Sequence, residues 1–435
     1  MTQTIVPAGF TQAAFDAFLS TRHEPAWLTE LRRESWEAFQ AMPLPGRDEE
    51  EWRRTDIRLL RLDKFGLPGD NTGGAQLPLG VLTEGVTLGG RTATLNSIPV
   101  EHQLERKWAD RGVVFGSLDK LVSEHSDLIQ RHLFTRAVNP RADKFAALHA
   151  ACWSGGTFLY VPPGVTVDEP LYMLSAMQNG GVDLSHTLVI VDKDAEVTLL
   201  AETAGDDTPS LHCGAIELWV GAGARLQYVN LQNWGSGTWH FGHQKALVDR
   251  DAQLQWTIGA LGARVAKVNQ HVGLIGPYAT AQVNGVMFTE GRQHLSYHTL
   301  QHHEAENCKS DLLYKGALQD HSRVVWRGMI KVDPNAQKTD GYQRDDNLIL
   351  SEGARADSIP GLEIEADDVR CTHGSTSGRV DEQQLFYAQT RGYTRREAVR
   401  MIVTGFFQQV FDRIRIESVR EALGHAIGRR IREYD

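Results

Sequence analysis

Cysteine is scarce in this chain. Four occur in 435 residues, at Cys152, Cys213, Cys308 and Cys371, and no two form a C-x-x-C pair. That spacing excludes a disulfide framework and predicts a reducing compartment. It also argues against a self-contained four-thiolate iron–sulfur site, whose ligands normally cluster in sequence. Long apolar runs are absent too: nothing approaches the ~18 uninterrupted residues of a membrane span. Residues 1–7 lack the basic start and apolar stretch of a leader peptide, so a cytoplasmic protein is expected. No G-x-x-x-x-G-K-[ST], G-x-S-x-G or H-E-x-x-H sequence occurs, which removes a P-loop, a nucleophile elbow and a zincin helix. Positive charge is short, with 45 basic against 55 acidic residues and a net charge of −10, where a nucleic-acid binder needs a concentrated basic face. The arginines between residues 391 and 400 read as one solvated helix face.

What is present supports a sizeable core: 41% of residues are hydrophobic and 23% charged, as in ordinary globular chains. Residues 1–65 read as a small helical region. Trp27, Leu31, Trp36 and Phe39 recur at helical spacing behind Pro25, and Pro43 and Pro45 end the run. Residues 66–154 form a mixed α/β lead-in. Gly66, Gly69, Gly73 and Gly74 mark a loop, one amphipathic helix is expected over 118–133 with Ser117 as its cap, and another over 143–150.

Between 155 and 380 helical periodicity gives way to short alternating runs such as Thr187-Leu188-Val189-Ile190-Val191. Turns ending in a small residue recur at Ala195, Ala224, Ala252 and Ala279, in steps of 29, 28 and 27 residues, with later copies at Ala336 and Ala354. A fixed period without interleaved long helices predicts coils that stack to bury a shared core. The fold class is therefore mainly β: a right-handed parallel β-helix core flanked by N-terminal and C-terminal helical regions. Residues 381–435 return to helix, with Thr394 and Glu397 as a capping box and Val419, Leu423, Ile427 and Ile431 at intervals of four. The wide apolar stripe through Phe406, Phe407, Val410 and Phe411 divides between core and a docking surface.

Cys371-Thr372-His373 is the sharpest local chemistry. On a strand, residues two apart share a face with their Cα atoms about 6.6 Å apart. Thiolate and imidazole then suit iron or zinc. The same pair also fits a buried cysteine beside a hydrogen-bonded histidine. In His302-His303-Glu304, strand alternation puts the two histidines on opposite faces, which favours a polar surface over one metal site. Trp219, Trp234, Trp239 and Trp256 read as packing rather than a sugar platform. Many β-helices act on polysaccharides through facing acids. Here the acid pairs Asp345-Asp346 and Asp367-Asp368 are adjacent in sequence instead.

Several segments resemble the SufB/SufD family of iron–sulfur cluster assembly proteins. They are the residues 145–151 and 155–165, Tyr314-Lys315-Gly316-Ala317-Leu318, residues 333–343 and 347–360, and Phe386-Tyr387 with Arg391-Gly392. The resemblance covers most of 145–435. It implies a β-helix, pairing with SufB through that helix, and binding of the SufC ABC-type ATPase through the C-terminal helices, with Phe406, Phe407, Val410 and Phe411 as docking residues. It implies a transient iron–sulfur cluster shared with SufB and no nucleotide bound by this chain. SufB-like chains carry a cysteine near the position of Asp345 and a His-Glu pair where this chain has His373-Gly374. Both departures resemble the SufD-type subunit, in which His373 matches a histidine at the nascent cluster and Cys371 its neighbour. A SufB-like scaffold is the alternative, and a homodimer of the isolated chain is compatible with exposed strand edges.

Overall fold

In the computed structural model, which describes residues 9–68 and 76–431, strands alternate between two sheets from Glu196 to Arg379, so each of these coils gives one strand to each sheet. The readings of residues 1–7 and of Gly69, Gly73 and Gly74 lie outside the described residues. All strand pairs within these coils are parallel. The ladder Glu196, Arg225, Gln253, Thr280, Lys309 keeps equivalent residues in register and reproduces the spacing of the alanine repeat. Alternation along each strand turns apolar side chains such as Leu199, Trp256, Val268 and Trp326 inward to one shared core.

One corner of five successive coils is built the same way. Asp194, Gly223, Asp251, Tyr278 and Asn307 adopt left-handed backbone with φ between 56° and 70°. Each donates its N–H to a carbonyl one coil further on, as from Asp194 to Ala222 (2.9 Å) and from Asp251 to Pro277 (3.0 Å). The next residue is small and buried: Ala195, Ala224, Ala252, Ala279 and Cys308. Cys308 is thus a copy of the repeat that an alanine pattern misses. Gly, Asn and Asp tolerate the left-handed region, whereas an aromatic side chain there costs about 1–2 kcal/mol. Tyr278 is the exception, with its ring 56% exposed. Tyr278→Asn is expected to stabilise the fold by about 1 kcal/mol, read as a higher denaturation midpoint. A lower midpoint would mean that ring packing outweighs the backbone strain.

The sheets reach back beyond residue 155. Gly90–Leu95 pairs in parallel with Leu171–Met177, and Ile98–Leu104 closes that sheet antiparallel. Val114–Ser117 closes the other sheet antiparallel against Gly156–Val161. These strands occur singly, so no repeat announces them. The opposite end has no such closure: Arg355–Ile364 and Val369–Arg379 are the last strands of their sheets.

Helices Gln12–Ser20, Ala26–Ala41 and Lys144–Cys152 cover the outer face of one sheet around Cys213, Trp239 and Phe241. Fully buried Arg32 ties this layer down, donating to Glu24 Oε2 (2.7 Å) and to the Trp153 carbonyl (2.9 Å). Helices Arg395–Phe411 and Glu417–Arg430 cover the other sheet, and the Thr394–Glu397 capping box forms. The single helix expected over 118–133 is instead two, Leu118–Glu124 and Ser126–Gln130, broken at His125, and Ser117 makes no side-chain cap bond. Leu118, Val122, Ile129 and Leu133 all enter one buried cluster, so tertiary packing sets the break. Among the described residues no helix is long and apolar enough to cross a membrane.

Candidate functional site

The unclosed end of the solenoid carries the sequence's ligand pair. Strand Val369–Arg379 pairs on one side only, with Thr339–Ile349, and leaves its other edge of N–H and C=O groups available. Cys371 is in register with Gly341 and His373 with Gln343, so both share a face, as the strand reading expected. Cys371 is half-buried against the small cluster of Ile330, Val332, Ala336 and Ala366. A Cβ placed on Gly341 would stand 3.3 Å from its Sγ, so the glycine keeps room for the sulfur. Burial pushes the Cys371 thiol up from its ordinary value, and the nearby Asp340 charge adds to this. His373 is exposed.

The other cysteines serve packing. Cys152, Cys213 and Cys308 are free and buried, and burial pushes the thiols of Cys152 and Cys308 up to about 12 and 11. Among the described residues no group of three or more His, Cys, Asp and Glu is placed to hold a metal ion. His302 lies 2.8 Å from Asp333 Oδ1, while His303 faces inward and meets the Ser310 hydroxyl at 2.8 Å. The two are on opposite faces, as expected. Trp234, Trp239 and Trp256 are buried and belong to the core.

The acid pair Asp345-Asp346 is split by strand alternation. Asp346 faces outward to Arg344 (2.9 Å) and Lys315 (3.8 Å). Asp345 points inside the solenoid, fully buried, and accepts from Asn347 Nδ2 (2.6 Å) and from the Ser358 hydroxyl. Burial pushes its carboxyl up to about 7 despite those hydrogen bonds. From the sequence, Asp345 stands out only as half of an adjacent acid pair and for the thiol it lacks. The clue to its burial is its place in the inward set Gly341, Gln343, Asp345 and Asn347, opposite the polar outward set.

The docking assignment needs correction. Phe407, Val410 and Phe411 are buried within the chain, packed in the cluster that joins the C-terminal helices to the solenoid through Val229, Leu231 and Leu313. Phe406 is half-buried with the Lys315 ammonium 4.7 Å from its ring. These side chains hold the helix to its own sheet, because a strand face this apolar has to be covered. The exposed apolar groups of the helical region are Phe386 (69%), Tyr387 (61%), Tyr393 and Met401. Helical spacing points to the first two: Leu385 and Ala388 face inward, so the residues between them face out. A groove of about 1040 Å³ between the two long C-terminal helices and Leu79–Val81 lies away from Cys371 and His373.

Comparison with known proteins agrees with this architecture. The model of the SUF system FeS cluster assembly SufBD core domain matches residues 173–406, and that of the SufBD N-terminal region matches residues 16–173. A Staphylococcus saprophyticus protein described as an iron-sulfur cluster assembly SufBD family protein is 29% identical, with 92% of this chain and 88% of the relative covered. The Bacillus subtilis iron-sulfur cluster assembly protein SufB is 28% identical over the same shares. The chain therefore belongs to the SufBD family of iron–sulfur cluster assembly proteins.

Proposed function

We propose that this chain is the SufD-type subunit of a cytoplasmic cluster-assembly scaffold, that it pairs with SufB through the unclosed end of its solenoid, and that it is not itself an enzyme. The observation that carries the reading is the exposed imidazole of His373 on an edge strand, two residues from a thiol and with no thiol at Asp345. One imidazole and one half-buried thiol make an incomplete donor set for an iron–sulfur cluster, which takes four ligands. A second chain laid along the open strand edge supplies the rest, and shared ligation suits a cluster that must be handed on. The cluster is cargo here, not a resident group. The 28% identity to a protein named SufB favours a second reading, a SufB-like scaffold.

Anaerobic co-purification with SufB and SufC, followed by iron and sulfide analysis, separates the two. His373→Ala is expected to cut bound iron and sulfide at least several-fold while the complex still assembles. Wild-type loading in that variant would remove His373 from the site. A chain that loads cluster without SufB would support the SufB-like reading instead.

SufC binding falls to the exposed side of the C-terminal helices in this reading. Deleting that region would uncover the sheet beneath it, so point changes are the cleaner test. Phe386→Ser with Tyr387→Ser is expected to abolish SufC retention on a column with no loss of thermal stability. Full retention would assign docking elsewhere.

A further inference from the structure

The inside of a solenoid is normally apolar, but this one carries a line of polar side chains. Gln244, Gln270 and Thr299 occupy one register column on three successive coils, about 4.8 Å apart. In the next coil the column reaches Gly328, whose carbonyl accepts from Gln343 Nε2 of the facing sheet (3.4 Å). Gln343 is the register partner of His373 and precedes Asp345 on the same inward face. The Tyr314 hydroxyl crosses the interior to Gln270 Oε1 (2.5 Å).

Each member of this line is more than nine-tenths buried and keeps one polar atom without a protein partner among the described residues. These atoms are Gln244 Oε1, Gln270 Nε2, Thr299 Oγ1, Gln343 Oε1 and Asp345 Oδ1. Buried polar groups are nearly always hydrogen-bonded, and ordered water meets the need where protein does not. Inward glycines make room for the large side chains that lie beside the line. A Cβ on Gly328 would fall 2.2 Å from the Trp326 ring and 2.5 Å from Gln343 Oε1, and one on Gly285 2.3 Å from the Tyr314 ring.

At the closed end the line opens into a cavity of about 40 Å³ bordered by His212, Gly214, His240, Gly242 and Gln244. That volume holds water, since one molecule needs ~10–15 Å³. The His212 and His240 Nδ1 atoms are 2.6 Å apart, and buried Asp183 lies 3.5 Å from His212 Nε2. Both ends of the line therefore hold groups able to give and take a proton: Asp183 with the histidine pair, and Asp345.

We propose that the solenoid encloses a file of water molecules along Gln244, Gln270, Thr299 and Gln343, through which protons exchange between the Asp183–His212–His240 cluster and Asp345 at the open end. Each hop moves one proton from an O–H or N–H donor to the next water oxygen, which releases another of its own. The net charge of the file is unchanged, and no redox partner is needed. The inference stands on the buried line itself and holds for either subunit assignment.

The indole N–H groups of Trp256 and Trp326 report on it, since both are buried in this interior and have no protein partner among the described residues. Their exchange into deuterium oxide is followed by NMR on the full chain with ¹⁵N-labelled tryptophan. A wet file gives exchange for both that is insensitive to low denaturant. Thr299→Val keeps side-chain shape, lies between Trp256 and the open end, and is expected to slow Trp256 at least tenfold while leaving Trp326, nearer the mouth, unchanged. Gln270→Leu is expected to do the same from the next coil. Exchange of both indoles only through global unfolding, or equal Trp256 rates in all three proteins, would overturn the proposal.

Discussion

Phe407→Ala is expected to destabilise the protein by about 3–5 kcal/mol, the usual cost of removing a fully buried aromatic ring. Its ring is completely buried, stands 6.1 Å from the Phe411 ring, and shares a cluster with Val399, Val403, Val410 and the outward residues of the sheet. Ring loss leaves a cavity at the seam between the helical layer and the solenoid. Protease nicking in 395–430 should then rise sharply, because the helices depend on that seam. Met401→Ala is the control on the same helix: Met401 is exposed, and a change within about 0.5 kcal/mol is expected. Equal, small effects for both, measured by denaturant unfolding, would return Phe407 to the docking surface.

Asp345 makes stability depend on pH in an unusual direction. Its folded-state pKa is raised to about 7, and burial is the main cause. In the unfolded chain an aspartate titrates near ~3.9. Between these values the folded chain holds a proton that the unfolded chain has released, so stability falls as pH rises from about 4 to 7 and levels off above that. The loss is on the order of 4 kcal/mol. The groups around Asp345 are Tyr314 and Ser375 as its register partners and Ser358 from the facing sheet, with Asp346 behind it on the outer face held by Arg344 and Lys315. None of the register or facing partners is a cation that would favour the carboxylate. Asp345→Asn keeps the shape and an acceptor for Asn347 and Ser358. It should be near neutral at pH 5 and clearly stabilising at pH 8, with a flatter stability profile between. A variant less stable than wild type at pH 8 would show that the carboxylate is ionised and well solvated in the folded chain.

The solenoid itself was legible because its cause repeats. A left-handed corner followed by a small buried residue has to recur in every coil for the coils to stack, and the recurring Asp, Gly and Ala residues record that. The copy at Cys308 and the single strands Gly90–Leu95 and Val114–Ser117 escaped because one changes residue type and the others occur once. The shared face of Cys371 and His373 was legible from strand alternation alone.

The fate of the C-terminal stripe was not. Periodicity marks Phe407, Val410 and Phe411 as one apolar face, but whether that face meets its own sheet or another protein depends on what stands opposite. Asp345 belongs to the same class. Its parity on the strand could be read, yet the burial that raises its pKa depends on the sheet facing it across the solenoid, which also brings the Ser358 hydroxyl within hydrogen-bond reach. The sequence by itself determined the coil period, the strand faces and the shortage of thiols, because each is local or repeated along the chain. Only the tertiary structure decided which end stays open, which apolar face is already covered and which polar groups are sealed inside, because these depend on contacts between residues far apart in the chain.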